Sequence, residues 1–518
     1  IHGYIAWGDA LARKLNGMFA FAIYDTVKRE LFLARDRMGE KPLYYSILPD
    51  RSFVFGSELK AVLSHEEVST SYNISSVQKF FGWGYLPGEA SMIDGVFKLP
   101  PGHHARYTLT TGAFKTTPYW QFSLKPEDDA KTEDELCDEL EQILRDSVQR
   151  RLMSDVPIGV FLSGGVDSSV ILAALAEIDE SNQHSTFTIG FHEPSFDESI
   201  YAQQVADQFQ SNHHTFLLGI DEAKDVIPKV LAGIDEPLGD ASLLPTYLVS
   251  KFAAEHVKVA LTGDGGDELF AGYDPFDALG PAKMFRAIVP SLAYKGLRNL
   301  VDMLPNSTAN MSFEFKLKRA LRGLAHGPEM QLPLWMSPLE PKEIEELLLS
   351  PAEPEEIYEE AITLWHERSD LTDTEKALEF FTRFYLPDNI LMKSDRAAMM
   401  NSLETRAVFL DNEMVEFAEK LPTRFKYSGG QRKYLLKKVA TRLLPDEIVN
   451  RKKKGFGIPF SAWARQDLEF STQLPNLNFS ESFVNSAVAN HKNASKDQRM
   501  FLWNWLSLQQ FGDWLANR

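Results

Sequence analysis

The stretch IGVFLSGGVDSS, residues 158–169, decides the fold. Its first five residues are apolar or glycine and predict a short buried strand. Gly164 and Gly165 then allow a tight backbone turn, and a helix is predicted to begin near Ser168. A glycine turn between a strand and a helix presents consecutive backbone N–H groups that stabilise an anion. The pattern therefore predicts a loop that binds a polyphosphate.

This loop differs from a Walker A sequence, because the Gly-Lys-Ser/Thr ending is missing. The hydroxyl groups of Ser163 and Ser168 add donors for phosphate oxygens. Asp167 brings a negative charge among these donors, which is favourable only if a divalent cation lies between it and the ligand, and Mg²⁺ suits oxygen ligands best. The alternative is a plain glycine turn in which Asp167 caps the helix.

Further strand-like segments follow at 186–191 and 257–261, with a helix expected from about 197 to 209. Strands that alternate with helices favour a parallel, doubly wound α/β sheet. Ligands bind such sheets at the carboxyl ends of the strands. The loop at 163–169 therefore lies at the expected binding edge.

A second glycine-rich turn, GDGGDE at 263–268, follows the strand at 257–261. Because the carboxyl ends of parallel strands share one edge, its carboxylates Asp264 and Asp267 are expected near Asp167. They are suited to completing a metal site and orienting a second substrate. The alternative is an ordinary polar loop, since glycine and aspartate are common in turns.

The basic run RKKKGFG, residues 451–457, is a third candidate. Such a run is usually a solvated surface, but in an acidic protein it can also stabilise charge that develops on phosphate oxygens. The pairs at 103–104 and 213–214 are adjacent histidines whose rings point to opposite faces of a strand, so a structural role is favoured over a metal site. Acidic neighbours make Cys137 a poor nucleophile.

The chain before about residue 120 has a different texture. Apolar runs at 18–24 and 30–34 predict a hairpin whose strands are buried on both faces, and 42–47 with 53–55 predict another. The acidic stretch 125–129 is taken as a linker. After it, Thr132 and Glu135 match a capping box at the start of a helix, and the chain beyond about residue 274 is mostly helical.

The 518 residues carry a formal net charge of −19, which disfavours a nucleic-acid substrate. A single cysteine cannot form an internal disulfide, and no apolar run is long enough to predict a membrane span. A reducing, cytoplasmic setting fits best. The first residues contain neither an initiator methionine nor a signal-peptide pattern, so the chain looks cut at its front.

Together, these motifs resemble the glutamine-dependent asparagine synthase family over nearly the whole chain. The matching segments are 15–25, 34–39, 55–58, 163–169, 262–273, 403–406, 409–411 and 451–459. The resemblance implies an incomplete class II glutamine amidotransferase domain at 1–122, of the β-rich N-terminal-nucleophile type. It also implies an asparagine synthase domain at 130–518, with a parallel, doubly wound PP-loop ATP pyrophosphatase core and a helical C-terminal part.

The resemblance also implies roles for individual residues. The pyrophosphate of ATP would be held by Ser163, Gly164, Gly165, Asp167 and Ser168, and the rest of the nucleotide by Leu162, Ile189, Thr262 and Gly263. Asp167 and Asp267 would hold Mg²⁺. Asp264, where many members have glutamate, would lie near the acyl-adenylate. Lys453 would stabilise the transition states of adenylation and of amide formation. Arg396, Arg406 and Lys433 are weaker candidates, since they can equally serve in ion pairs.

Aspartate, ATP and either glutamine or ammonia are therefore the expected substrates, and asparagine is formed through β-aspartyl-AMP with release of AMP and pyrophosphate. The family's nucleophilic cysteine precedes Ile1, so this chain is not expected to hydrolyse glutamine. The segment 235–242 lacks an arginine found in some members, and Val408 replaces a common proline. Alternatives are amidation of a sugar or peptide acid, closure of a β-lactam, and a nucleotide-binding pseudoenzyme. A homodimer is left open.

Overall fold

The computed structural model describes residues 1–127, 131–179, 184–307, 309–451, 455 and 457–518, the side chains of 291, 292 and 295 excepted. The strands are β1 Ala20–Asp25, β2 Glu30–Arg35, β3 Tyr44–Ile47, β4 Phe53–Gly56, β5 Val96–Lys98, β6 His103–Thr108, β7 Ala113–Pro118, β8 Ile158–Phe161, β9 Ser185–Phe191, β10 Asn212–Leu218, β11 Val259–Thr262, β12 Glu404–Ala407, β13 Tyr427–Ser428 and β14 Gln431–Arg432.

The α-helices are α1 His2–Trp7, α2 Leu11–Lys14, α3 Leu59–Leu63, α4 Ile74–Trp83, α5 Glu133–Arg151, α6 Val166–Ile178, α7 Ser199–Gln208, α8 Ile220–Gly233, α9 Leu243–Ala254, α10 Gly266–Leu269, α11 Asp274–Ile288, α12 Ser291–Asp302, α13 Phe313–Leu324, α14 Gln331–Met336, α15 Pro341–Leu348, α16 Pro354–Ile357, α17 Glu359–Glu367, α18 Asp373–Phe380, α19 Met392–Met399, α20 Asn412–Lys420, α21 Tyr434–Leu443, α22 Asp446–Val449, α23 Phe460–Gln466, α24 Glu481–Lys492 and α25 Arg499–Ala516. A π-helix, Phe381–Leu391, joins α18 to α19.

The first region contains two antiparallel sheets, in the orders β1-β2-β6-β7 and β4-β3-β5. Both predicted hairpins are present. The expectation that the first hairpin is buried on both faces is wrong for β1, where Ala22 and Tyr24 are exposed. The reason is that β1 is an edge strand, so its outer face has no covering layer, whereas β2 lies inside the sheet and is buried from Phe32 to Arg35.

The second region is built on a five-stranded sheet in the order β10-β9-β8-β11-β12. Every neighbouring pair in it is parallel. The expected parallel, doubly wound core is therefore confirmed. In chain order the strands run outward from β8 to β10 on one side, and then from β11 to β12 on the other. The order reverses between β8 and β11, which is where such sheets bind ligands.

Of the two edge strands of this sheet, β12 is missing from the sequence-based description, and β10 appears there only as the strand that carries His213 and His214, without bounds. β10 has the sequence NHHTFLL and β12 the sequence ETRA, so neither is an apolar run. Both lie at the sheet edges, where one side of the strand stays accessible and polar residues are tolerated. Position in the sheet, rather than local propensity, makes them strands.

The helices cover both faces of the sheet. The predicted capping box is confirmed at α5, where Thr132 accepts from the backbone N–H of Glu135 and the Glu135 carboxylate accepts from that of Thr132. α5 packs against α6 and α21, and α9 packs against β9 and α19. None of the described helices is long and apolar enough to cross a membrane.

Asp411 connects the two regions. It is fully buried, caps α20, and accepts hydrogen bonds from Arg150 at 2.8 Å and Arg151 at 2.7 Å, both at the end of α5. Asn16 of the first region donates to the same carboxylate at 3.1 Å. Although burial opposes it, the two guanidinium groups lower the pKa of Asp411, which therefore stays ionised.

We expect Asp411→Ala to reduce the free energy of unfolding by about 3 kcal/mol or more, because it leaves the buried charge of Arg151 without its carboxylate partner. Glu413→Ala is the matched control, since Glu413 also pairs with Arg150 at 2.7 Å but its side chain is 57% exposed. An exposed pair contributes about 1 kcal/mol or less. Urea unfolding followed by circular dichroism measures both; equal losses would contradict the role given to Asp411.

Candidate functional site

The glycine–serine loop follows β8 and leads into α6. Ser168 Oγ accepts from the backbone N–H of Ser163 at 3.1 Å and lies 3.1 Å from the Ser163 hydroxyl, which closes the loop. Gly164 has φ +67°, and a Cβ there would lie 2.6 Å from the backbone N of Ala202. No side chain caps α6, whose N-cap residue is Gly165. The N-terminal amides of α6 thus face a loop suited to an anion.

The acidic turn after β11 lies directly against this loop. A Cβ on Gly263 would lie 3.0 Å from Asp167 Cβ, and one on Gly266 would lie 2.7 Å from Asp167 Oδ1. Gly265 has φ +93°, a left-handed conformation that favours glycine. The glycines of the second motif therefore allow its backbone to approach Asp167 closely, as the sheet topology led us to expect.

Lys433 joins the two turns. Its Nζ lies 2.6 Å from Asp167 Oδ1 and 2.6 Å from Asp267 Oδ1. Burial alone would lower the pKa of this ammonium, but the two carboxylates outweigh burial and raise it. Lys433 is therefore charged and links the loop after β8 to the turn after β11. Sequence reasoning placed it only among the weaker candidates.

The backbone around Lys433 supports this position. Lys433 precedes α21 in a left-handed conformation, φ +55°, which is uncommon for a lysine. Its N–H donates to the carbonyl of Phe270 at 3.1 Å. A side chain on Gly272 would collide with both Asp267 and the Lys433 methylenes. Strained backbone maintained by surrounding contacts is typical of functional sites.

Asp264 lies half-buried in the turn that follows β11. It accepts a hydrogen bond from the Thr262 hydroxyl at 3.0 Å. Burial raises the pKa of this carboxyl, while Lys393 and Ser394 of α19 act in the opposite direction. Lys393, which sequence reasoning did not identify, is buried and donates to Asp240 at 2.9 Å and to Ser242 at 2.7 Å. A polar, charged pocket thus adjoins Asp264.

Arg451, the first residue of the basic run, contacts the glycine–serine loop. Its Nε donates to the carbonyl of Gly164 at 2.8 Å, another guanidinium nitrogen pairs with Glu198 at 2.5 Å, and the group stacks on Tyr201 with 4.7 Å to the ring centre. Sequence reasoning named the run but assigned no contact to Arg451. Lys453 itself, with 452, 454 and 456, lies outside the described residues.

The residues expected around the rest of a nucleotide lie in or next to the three inner strands of the sheet, β8, β9 and β11. Leu162 is buried, and its N–H donates to the carbonyl of Phe187 on β9 at 2.9 Å. Ile189 is buried further along β9. Together with Thr262 and Gly263 at the end of β11, they lie within the strands and turns that surround the glycine–serine loop.

Arg396 and Arg406 bind elsewhere. Arg396 pairs with Asp235 at 2.5 Å and with Glu58 of the first region at 3.5 Å. Arg406 pairs with Glu404 at 2.6 Å and donates to the carbonyl of Arg151 at 2.7 Å. These contacts hold elements together, and none of them reaches the glycine–serine loop or the acidic turn.

The remaining sequence candidates pack within the fold. His104 lies 5.3 Å from the Phe32 ring, and His214 lies 5.1 Å from the Phe187 ring. His213 hydrogen bonds to Thr186 at 2.8 Å. Burial raises the pKa of the Cys137 thiol, as expected for an unreactive cysteine. Over the described part of the chain, no three His, Cys, Asp or Glu side chains converge as a metal site.

Comparison with known proteins agrees with this arrangement. Residues 139–516 match the family model for asparagine synthase, and residues 1–120 match that for a glutamine amidotransferase domain. The chain belongs to the asparagine synthase family. Members of this family use ATP as a substrate, and the chain is accordingly a ligase that amidates a carboxylic acid at the expense of ATP.

Named relatives span the same region. The chain is 32% identical over 469 residues to asparagine synthetase [glutamine-hydrolyzing] 1 of Bacillus subtilis (strain 168), an alignment that covers 90% of this chain and 71% of the relative. It is 30% identical over 531 residues to a putative asparagine synthetase of Mycobacterium bovis, covering 97% and 77%. It is 25% identical over 500 residues to amidase chyE of Penicillium rubens, covering 89% and 72%.

Proposed function

We propose that the protein converts aspartate to asparagine through β-aspartyl-AMP, with ammonia as the nitrogen donor and AMP and pyrophosphate as further products. The observation that carries this proposal is the contact of Lys433 with both Asp167 and Asp267. This contact brings the glycine–serine loop, which is suited to a polyphosphate, next to the acidic turn. The same turn carries Asp264, beside the polar pocket that contains Lys393. Adenylation requires this proximity, because the acid must reach the α-phosphorus while pyrophosphate leaves.

In this proposal the glycine–serine loop binds the leaving pyrophosphate. The amides at the start of α6 and the hydroxyls of Ser163 and Ser168 are donors for its oxygens. The adenosine lies against Leu162, Ile189, Thr262 and Gly263. Lys433, the cation already present between the loop and the acidic turn, adds positive charge where the departing phosphates gain negative charge.

Asp167 and Asp267 are suited to Mg²⁺. Both carboxylates contact the ammonium group of Lys433, so positive charge is already favoured between them. Mg²⁺ is commonly bound by one or two carboxylates together with substrate phosphates, and two such residues are present. When bound, Mg²⁺ would neutralise phosphate charge and favour departure of pyrophosphate.

Two further residues act at the carboxylate in this proposal. Asp264 lies next to Lys393 and adjoins the position of the acyl-adenylate. Lys453 belongs to the basic run that begins at Arg451, whose guanidinium contacts the loop carbonyl of Gly164. A lysine two residues further on is well placed in sequence to stabilise the charge that develops during adenylation and amide formation.

The alternative substrate is a different carboxylic acid. The amidase of Penicillium rubens, 25% identical over 89% of this chain, favours this reading. So do Asp264, in place of the glutamate of many family members, and the absence of arginine from 235–242. The phosphate-binding residues would be unchanged, because adenylation is the same for any acid.

The domain boundaries and the setting are part of the proposal. Residues 1–122 form the glutamine amidotransferase part, which supplies ammonia from glutamine in a chain that carries the family's nucleophile, and 130–518 form the synthase part. We place the reaction in the reducing cytoplasm, where the buried Cys137 stays a thiol. Assembly as a homodimer is compatible with this reaction and is not required by it.

With aspartate, ATP, Mg²⁺ and ammonium, we expect release of AMP and pyrophosphate together with asparagine. Chromatography of nucleotides and amino acids measures these products. Turnover only with another acid would favour the alternative substrate, and release of ADP instead of AMP would overturn the adenylation mechanism.

Lys453→Ala should lower the adenylation rate by roughly a hundredfold or more, in line with loss of one preorganised electrostatic group. Exchange of radiolabelled pyrophosphate into ATP measures this rate directly. Lys452→Ala is the matched control, because it removes the same charge from the neighbouring position of the run. Comparable rates for the two variants would remove Lys453 from its proposed role.

Lys433→Met leaves the carboxylates of Asp167 and Asp267 facing one another without a cation. In EDTA we expect a loss of about 3 kcal/mol in unfolding free energy. Mg²⁺ without nucleotide should then stabilise the variant more than the wild type, since it takes the position of the ammonium. Lys438→Met is the control, because Lys438 lies on α21, the helix that Lys433 precedes, but pairs with Glu133 at the surface. An equal response to Mg²⁺ in thermal unfolding would contradict the metal assignment.

A further inference from the structure

The orientation of one peptide bond decides whether the glycine–serine loop attracts an anion. This bond joins Gly164 to Gly165, and in a trans peptide the carbonyl and the N–H point in opposite directions. The N–H of Gly165 points into the loop, where it donates to the Ser163 hydroxyl at 3.3 Å. The carbonyl of Gly164 therefore points out of the loop. If the peptide turned over, this carbonyl oxygen would face the bound phosphates and repel them.

Glycine at both positions makes such a reversal easy. A peptide flip changes φ of the second residue by half a turn, which here takes Gly165 from −81° to about +100°. Glycine adopts positive φ as readily as negative φ, whereas a residue with a side chain does not. Gly164 already has φ +67°. The loop backbone therefore does not fix this peptide by itself, and a contact from outside the loop is needed.

Arg451 makes a contact of this kind. Its Nε donates to the carbonyl of Gly164 at 2.8 Å. A hydrogen bond from a charged donor is stronger than one between neutral groups. It is lost when the peptide turns over, because the N–H that takes the place of the carbonyl cannot accept a hydrogen bond. The contact thus favours the orientation in which the loop presents its N–H groups to an anion.

Arg451 is itself held by residues at the start of α7. Its guanidinium pairs with Glu198 at 2.5 Å and lies on the ring of Tyr201, 4.7 Å from the ring centre. The side chains of Arg451 and Glu198 are only 8% and 14% exposed, so the pair is shielded from solvent and is costly to break. α7 also packs against the loop, since a Cβ on Gly164 would lie 2.6 Å from the backbone N of Ala202. One helix therefore supports both the loop and the arginine that contacts it.

We propose that Arg451 is a positioning residue, which fixes the Gly164–Gly165 peptide in the orientation that binds the pyrophosphate of ATP. The inference rests on the proposed binding of pyrophosphate by the glycine–serine loop, and it adds what keeps that loop in its binding conformation. Arginine suits this role better than lysine, because its planar guanidinium donates in several fixed directions and stacks on an aromatic ring. Arg451 thus acts on the phosphates through the backbone of the loop.

Arg451→Met tests the inference, with binding of pyrophosphate in the presence of Mg²⁺ measured by isothermal titration calorimetry. We expect the dissociation constant to rise roughly tenfold or more, the effect of losing one hydrogen bond from a charged group. AMP, which lacks the two phosphates that the loop binds, should bind within about twofold of the wild type. Retained AMP binding also shows that the variant is folded. Equal losses for the two ligands would overturn the inference, because they indicate a general disturbance of the site.

Gly165→Ala separates the orientation of the peptide from the charge of Arg451. Alanine disfavours the positive φ that the reversed peptide needs, so the loop keeps its orientation without help. The new Cβ would lie 3.2 Å from Ser163 Oγ, which a small shift of that hydroxyl accommodates. In a Gly165→Ala protein, Arg451→Met should therefore raise the pyrophosphate dissociation constant by no more than about threefold. A rise of the same size with and without Gly165→Ala would show that Arg451 acts by charge alone and would overturn the inference.

Glu198→Met is a second variant, because it leaves the loop and the basic run intact but removes the carboxylate that holds Arg451. Pyrophosphate binding should weaken by about threefold or more, with AMP binding retained, and an unchanged pyrophosphate dissociation constant would overturn the inference. Arg442→Met is the matched control, since Arg442 pairs with Asp138 at 2.6 Å with its side chain 35% exposed. Its pyrophosphate binding should equal that of the wild type.

The wild-type titration distinguishes this inference from the proposed function. A wild-type protein that binds no pyrophosphate would overturn the proposed function and the role of Arg451 with it. Equal affinity of the wild type and Arg451→Met for pyrophosphate would overturn the role of Arg451 alone.

Discussion

The repulsion between Asp167 and Asp267 is the constraint on which the rest of the structure depends. Both carboxylates are largely buried at one edge of the parallel sheet, and like charges so placed require a cation between them. Lys433 provides it, at 2.5 Å from one and 2.6 Å from the other. The strand order brings the two turns together, and their glycines allow the contact, so the fold and the charge balance determine each other.

The glycine–serine loop is predictable from sequence because its determinants are local: an apolar strand, two glycines and a helix start follow one another directly. Lys433 is not predictable in the same way, since it lies 266 residues from Asp167 and reaches it only through the packing of α21. The same holds for Arg451 and Lys393, which carry no local signal beyond their charge. The edge strands β10 and β12 are likewise defined by their neighbours in the sheet, which sequence patterns do not report.

The boundary between the two regions carries ion pairs beside an apolar core that both regions share, in which Trp83 stacks on Phe380. Lys41 with Asp395, and Arg37 with Glu416, place ion pairs across it where further apolar contacts would serve stability at least as well. These ion pairs fix the relative position of the two regions. A small displacement would separate the charges and leave each partly buried group without the interaction that offsets its loss of hydration. A fixed relative position also preserves the small cavity lined by Glu40 and Lys41 of the first region and by Thr262 and Asp264 of the second.

Selectivity for the acid must come from residues outside the phosphate loop, because the loop meets the same phosphates whichever acid is adenylated. An incoming acid adds negative charge beside Asp264, whose carboxyl pKa is already raised by burial. Lys393 is the nearest cation described there, but its ammonium is bonded to Asp240 and Ser242. The acid must therefore either compete with Asp240 for Lys393 or have its charge balanced by the basic run that begins at Arg451, whose guanidinium contacts the loop. In the first case substitutions at 240–242 change which acid is accepted, and in the second they leave it unchanged.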